Sequence, residues 1–314
     1  MPIRDWKIQY RTIYDILYET PRVPLVSIEK AVGKTARRRL KEAVELQYIL
    51  GPELRKRCYE NLKEYVYFLN CKDPEIPYIR YREDPSVIYH AEMIGFSNLL
   101  LITRKKIDIE GDIILEGYRS DYHFSFAPNH SWETALERMR KKIETFDPRT
   151  YLPKGIIQTH FDEAIEWGKE DELLYRYFKY SLREPVSPVM KENEISKDKI
   201  YQFLDRLLET CTIATSYYPN RLPEYDPYLF MLETEYEDFI IDLFSEFPTT
   251  SYFFKILDKL FVYVLVPDEI IRPTDLKVTI KKLHIPLLLI DLQERGIIES
   301  KERAMIEYSK GKAL

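Results

Sequence analysis

Apolar residues recur at helical spacing near the start of the chain, at Ile13, Ile16 and Leu17 and again at Leu40, Ala43, Val44 and Leu46. A shorter helix lies between them. Ser27 reads as its N-cap, Glu29 falls in its first turn, and Ala31 and Val32 precede Gly33, which tolerates the left-handed backbone that ends a helix. Gly33, Lys34 and Thr35 then form a tight turn, with Thr35 capping a third helix over 36–47. Residues 48–52 and 53–57 follow as a short strand and a basic wing. The predicted order is helix, helix, turn, helix, wing.

Beyond residue 62 the period changes. The run 65–69 is β-branched and aromatic, and the runs 87–93 and 99–103 flank a turn of Gly95, Phe96, Ser97 and Asn98, which is a hairpin pattern. Residues 118–126 read as a further strand. Over 131–146 the helical period returns with Trp132, Ala135, Leu136, Met139 and Ile143, capped by Ser131 with Glu133 in the first turn. An antiparallel sheet with helices on one face buries these stripes together.

The pattern is used twice. The helix around Ile13 to Leu17 and the segment Arg22, Val23, Pro24 return as 173–177 and Arg183, Glu184, Pro185; the 86–102 hairpin region returns as 251–264. The predicted fold class is therefore α+β, two tandem units, each a winged helix-turn-helix followed by a ferredoxin-like antiparallel sheet. The expected boundaries are 1–62 and 166–226 for the helical domains and 63–165 and 227–314 for the sheets.

Composition narrows the setting. The chain has 314 residues, 45% hydrophobic and 32% charged, so it folds and suits more than one domain. Its longest apolar runs, 261–267 and 287–290, are shorter than a membrane span, and residues 1–5 lack a signal-type apolar stretch, so a cytoplasmic protein without membrane partners is expected. Three cysteines, Cys58, Cys71 and Cys211, with no CxxC pair suit reduced thiols rather than disulfides or zinc. The net charge is −5, yet residues 1–62 carry 13 basic against 8 acidic side chains, so positive charge gathers at the front.

Helix-turn-helix, wing, strand, helix and glycine-turn hairpin together resemble the leucine-responsive, Lrp/AsnC type of transcription regulator. The resemblance covers 1 to about 145 and, more loosely, 170–314, and implies two such subunits fused. The turn Gly33, Lys34, Thr35 is shorter than the family's usual one. Asn98 stands where the family's Gly-x-x-Asp turn has Asp, and the second copy's Asp258, Lys259, Leu260, Phe261 has no glycine.

The sharpest chemical feature is the cationic start of the third helix. Lys34, Arg37, Arg38, Arg39 and Lys41, with Thr35, would meet phosphates and guanine edges in a major groove, and Arg55, Lys56 and Arg57 in the wing would add backbone contacts. The second copy lacks this charge: 171–226 has eight basic and ten acidic residues, which suits a structural or protein-protein face. His123, His130 and His160 are scattered without an HExxH or Cys/His cluster and read as sheet and loop residues, although the aromatic and polar alternation over 122–130 suits a small-molecule pocket. Glu233, Glu235, Glu237 and Asp238 read as a solvated face. No phosphate loop or GxSxG is present.

The expected function is a sequence-specific, DNA-binding transcription regulator rather than an enzyme, with no catalytic residues, metal or cofactor. Double-stranded DNA is the expected partner, the chain a homodimer, and a small metabolite the candidate effector, bound near Gly95, Phe96, Ser97 and Asn98. The alternatives are an assembly module without DNA affinity and an enzyme of the haem-pathway decarboxylase kind, since related Lrp-like folds include such decarboxylases.

Overall fold

The computed structural model describes residues 5–267 and 284–311, with side chains to residue 307; residues 1–4 of the expected leaderless start lie outside the described residues. In chain order the elements begin α1 (Trp6–Glu19), α2 (Leu25–Val32), α3 (Ala36–Glu45), β1 (Ile49–Lys56), β2 (Tyr65–Asn70), α4 (Glu75–Glu83), β3 (Val87–Gly95), β4 (Leu99–Thr103), β5 (Asp112–Tyr118), β6 (His123–Phe124) and α5 (Trp132–Thr145). They continue as α6 (Lys169–Phe178), α7 (Val186–Glu192), α8 (Lys197–Asp205), α9 (Leu207–Thr210), β7 (Cys211–Tyr217), β8 (Asp226–Glu233), α10 (Glu237–Phe244), β9 (Tyr252–Ile256), β10 (Lys259–Val266), α11 (His284–Glu294) and β11 (Ser300–Gly311). The fold is α+β with tandem copies, and the like parts of the two copies associate. One unit comprises Met1–Arg57 with Ala164–Pro223, the other Cys58–Glu163 with Glu224–Leu314.

In the first unit α1, α2 and α3 form the three-helix support. Asp5 caps α1 by accepting the Lys7 N–H at 2.8 Å, and Ile13, Tyr14 and Leu17 are fully buried. Gly33, at φ 88°, ends α2. The start of α2 differs from expectation: Pro24 occupies the cap position and Ser27 lies inside the helix, because a proline loses nothing where the first N–H groups have no helical partner. In α3 only Ala36 and Ala43 are buried, and Val44 and Leu46, expected inside, are exposed.

The wing strand β1 pairs antiparallel with β7 of the second copy, from Ile49 opposite Tyr217 to Lys56 opposite Cys211. Each wing also packs into the other copy. Leu54 joins the core of Leu174, Phe178, Ile200 and Phe203; in return Tyr217 stacks on Tyr14 at 4.9 Å and Thr215 Oγ1 donates to the Leu17 carbonyl at 3.3 Å.

In the second unit the described strands form one sheet in the order β5-β2-β4-β3-β11-β8-β10-β9-β6. Two ferredoxin-like halves, β5-β2-β4-β3 and β11-β8-β10-β9, join where β3 pairs antiparallel with β11. The sheet curls on itself. Its inner face buries Val66, Phe68, Met93 and Leu100 with Leu229, Phe254, Phe261 and Ile306, and the rings of Phe68 and Phe261 stack at 4.9 Å and 3°. An isolated bridge between Arg119 and Ile256 ties the end of β5 to β9.

Helices cover the outer face unequally. On the second half α5, α10 and α11 share one core of Leu136, Met139 and Ile143 with Ile241, Phe244, Leu288 and Leu292. On the first half α4 contributes Tyr78 and Tyr81, and the loop 104–111 adds Ile107 and Ile109. The expected strand over 118–126 is replaced by β5, which ends at Tyr118, and by the two-residue β6. The chain turns away from β2 there because the buried Arg119 takes Glu64, donating from Nε at 2.8 Å and Nη2 at 2.6 Å, while Asp121 takes the Cys58 N–H at 2.7 Å. No helix among the described residues is long and apolar enough to cross a membrane.

Candidate functional site

The cationic cluster lies at the exposed start of α3, but it is divided. Lys34 and Arg37 are exposed and make no ion pair among the described residues, whereas Arg38 Nε lies 3.5 Å from Glu42 and Lys41 Nζ 3.5 Å from Glu45. Arg39 turns toward α1, donating to Gln9 and to Glu42, both at 2.7 Å. Thr35 sits at the cap position without a side-chain cap bond.

The wing cations are engaged inside their own unit. Arg55 donates to Glu53 at 2.9 Å and to the Leu54 carbonyl, and Arg57 Nε donates to the Leu208 carbonyl at 3.2 Å. Lys56 pairs with Glu172 and lies 4.7 Å from the Tyr175 ring and 5.1 Å from that of Trp167.

The hairpin turn is likewise occupied by its own scaffold. Ser97, fully buried, donates its hydroxyl to the Leu69 carbonyl at 2.7 Å, and the Asn98 amide accepts from Cys71 N at 2.9 Å and donates to Cys71 O at 2.7 Å. Phe96 packs at 5.3 Å from Phe68. At Gly95, φ 152°, an added Cβ would meet the Arg303 carbonyl at 2.1 Å, so glycine is required for β11 to approach. These four residues join strands together.

The histidines occupy separate settings. Burial pushes the His123 imidazole below its ordinary value, with Asp238 opposing in part. His130 Nε2 lies 2.5 Å from the Glu246 carbonyl. His160 stacks on Tyr59 at 4.7 Å, with Asp121 at 3.5 Å and Glu163 at 3.2 Å. Beside it, the Cys58 thiol is pushed up to about 12 by burial and by Asp121, so it stays protonated. Among the described residues no three His, Cys, Asp or Glu side chains converge as a metal site.

A concavity lies elsewhere in the second unit, between the end of α5, the segment 147–154 and the start of α10. Its volume is about 460 Å³, within the range of ligand pockets, and Lys142, Phe146, Asp147, Tyr151, Leu152, Lys154, Asp238, Phe239 and Asp242 line it. Phe146 and Phe239 stack at 4.0 Å, and Tyr151 meets Tyr236 edge-on at 5.2 Å. Lys142 is held by Asp242 at 2.6 Å and Glu246 at 2.7 Å; Lys154 is exposed and makes no ion pair among the described residues.

Asp238 organises this groove, which corrects its reading as part of a solvated face. It is 7% exposed and accepts the backbone N–H groups of Lys154, Gly155 (3.1 Å) and Ile156 (3.0 Å). Burial alone would raise its carboxyl, but those N–H groups and the Tyr151 hydroxyl outweigh burial and lower it. Its own N–H donates to the Tyr151 oxygen at 3.2 Å, and the Tyr151 hydroxyl lies 3.5 Å from Oδ2. The available sequence signal was an aspartate directly before the apolar residues Phe239, Ile240 and Ile241.

No family model matches the chain, and no curated protein matches it. Two solved structures are similar: the siroheme decarboxylase NirDL, at 11% identity over 96% of this chain and 91% of that one with a TM-score of 0.47, and the same enzyme in complex with an iron-uroporphyrin III analogue, at 12% identity over 96% and 92% with a TM-score of 0.48. The expectation that the chain is not an enzyme is corrected by these matches, both of which are to a decarboxylase.

Proposed function

We propose that the second unit carries the active site of an enzyme of the haem-pathway decarboxylase kind, which removes CO2 from carboxylate side chains of a tetrapyrrole. The observation that carries this reading is the groove beside α10, where aromatic walls of Phe146, Phe239 and Tyr151 stand next to the exposed ammonium of Lys154. A tetrapyrrole is a flat apolar ring with carboxylates at its rim; stacking and lysine pairing are the interactions it demands. In the reaction the bond from the side-chain carbon to the carboxylate breaks, CO2 leaves, and the electron pair left on carbon takes a proton. No oxidant or reductant is consumed.

The test is anaerobic incubation of the purified protein with siroheme, followed by absorbance and mass spectrometry. Conversion to a product lacking CO2 is the expected result. Unchanged siroheme, with no spectral shift on mixing, would remove the reading.

A second reading concerns the first unit and rests on Lys34 and Arg37, exposed at the start of α3 and outside every ion pair of the described residues. This end of α3 suits contact with double-stranded DNA, as a transcription regulator would make. Duplex binding that weakens steeply with salt supports it, and salt-independent or absent binding excludes it.

A further inference from the structure

Within the proposed decarboxylase groove, and resting on that reading, we infer that Tyr151 is the group that delivers the proton replacing CO2, that Lys154 holds the departing carboxylate's end of the substrate, and that Asp238 is the positioning residue for both.

The assignment follows from which groove groups are free to act. The hydroxyls of Thr145 and Thr150 are given to the carbonyls of Lys141 at 2.8 Å and Asp147 at 3.0 Å. Lys142 is committed to two carboxylates. Asp147 holds Arg149 through both oxygens, at 2.9 Å each. What remains is the Tyr151 hydroxyl, whose contact to Asp238 Oδ2 is long at 3.5 Å and so is easily exchanged for a substrate, and the ammonium of Lys154.

Both are delivered by one device. Asp238 accepts three successive N–H groups from Lys154, Gly155 and Ile156, which fixes the segment carrying Lys154, while its own N–H and carboxylate bracket the Tyr151 oxygen. Burial, together with the Asp238 charge, holds the Tyr151 phenol above its ordinary range, so its proton is present at neutral pH. After the carbon takes that proton, the phenolate oxygen keeps the Asp238 N–H as a donor and is reprotonated from solvent through the open groove. Each turnover thus takes up one proton and releases one CO2.

The experiment pairs a binding readout with turnover. Uroporphyrin III fluorescence measures binding, and siroheme conversion measures catalysis over a range of pH. Tyr151→Phe should bind uroporphyrin III within about twofold of wild type yet lose roughly 100-fold or more in kcat, the size of a general-acid contribution. Lys154→Ala should weaken uroporphyrin III binding about two- to fivefold, as the loss of one exposed ion pair does. Asp238→Asn removes the charge beside the phenol, so the alkaline limb of its pH-rate profile should move to lower pH, which a purely structural defect would leave in place. If wild type converts siroheme and Tyr151→Phe matches it, the proton-donor role is lost while the decarboxylase reading stands. If wild type neither binds uroporphyrin III nor converts siroheme, both are lost.

Discussion

Arg22 and Arg183 exchange hydrogen bonds across the first unit: Arg22 Nη1 donates to the Leu182 carbonyl, and Arg183 Nη1 donates to the carbonyls of Val23 at 2.8 Å and Pro21 at 3.1 Å. Each arginine reaches into the loop that carries the other. Such reciprocity is what a two-fold relation between like copies produces, here inside one chain. Burial lowers both guanidiniums, and Arg183 also feels the charge of Arg22. Removing either should cost about 1.5–3 kcal/mol for its charged hydrogen bonds. Removing both should cost more than the two single losses together, because each single change already relieves the one repulsion between them, which the double change relieves only once. A double-mutant cycle in urea measures this; strict additivity would show that the two sites are independent.

The ring stack of Phe68 on Phe261 makes the same point for the second unit, since the two residues come from different halves of the curled sheet and both are fully buried. Phe261→Ala should cost about 3–5 kcal/mol, the range for deleting a buried phenylalanine. Phe261→Leu should recover most of it. Thermal unfolding of the two variants checks the ranking; an unchanged midpoint in Phe261→Ala would show that the stack does not hold the core together.

For the first unit the geometry separates two cations that look alike in sequence. Arg37 is exposed on α3, whereas Lys56 pairs with Glu172 and lies over Tyr175 and Trp167. If α3 binds duplex DNA, Arg37→Ala should weaken it by about 1–3 kcal/mol if it reads a base, or flatten the salt slope by about one if it touches phosphate. Lys56→Ala should leave the salt slope unchanged and lower the unfolding midpoint instead. Titrations at several salt concentrations, with melts alongside, test both.

Local pattern was enough to read much of the architecture, because periodicity reports which side of an element is buried. Ile13, Leu17, Val66, Phe68, Leu136 and Met139 are buried as their spacing requires. It does not report partners. Leu54 sits in a strand read as a free wing, yet its core belongs to the second copy, more than a hundred residues away. Likewise α5 follows the strands of the first half but packs on the second, with Phe244 and Leu292. The groove was hidden for the same reason: Asp238 and Tyr151 come together only in space, and an aspartate at the start of a helix ordinarily needs no buried partner.

The histidine at β6 provides a pH test that separates it from the groove carboxylate. Burial lowers the His123 imidazole in the folded chain, so below its unfolded value of about 6.5 the unfolded chain holds a proton that the folded chain refuses. Its stabilising contribution is therefore complete above about pH 6.5 and is lost as pH falls through the lowered folded value, with a slope of at most about 1.4 kcal/mol per pH unit. Asp238 is also lowered, but its contribution is lost only below the ordinary aspartate value of about 3.9. Between pH 7 and 5 the two do not overlap. Urea midpoints measured across that interval should fall more for wild type than for His123→Phe, whose ring fills the site without titrating. Parallel pH dependence in the two proteins would mean that His123 takes up its proton equally well folded and unfolded, and that burial at β6 does not govern its charge.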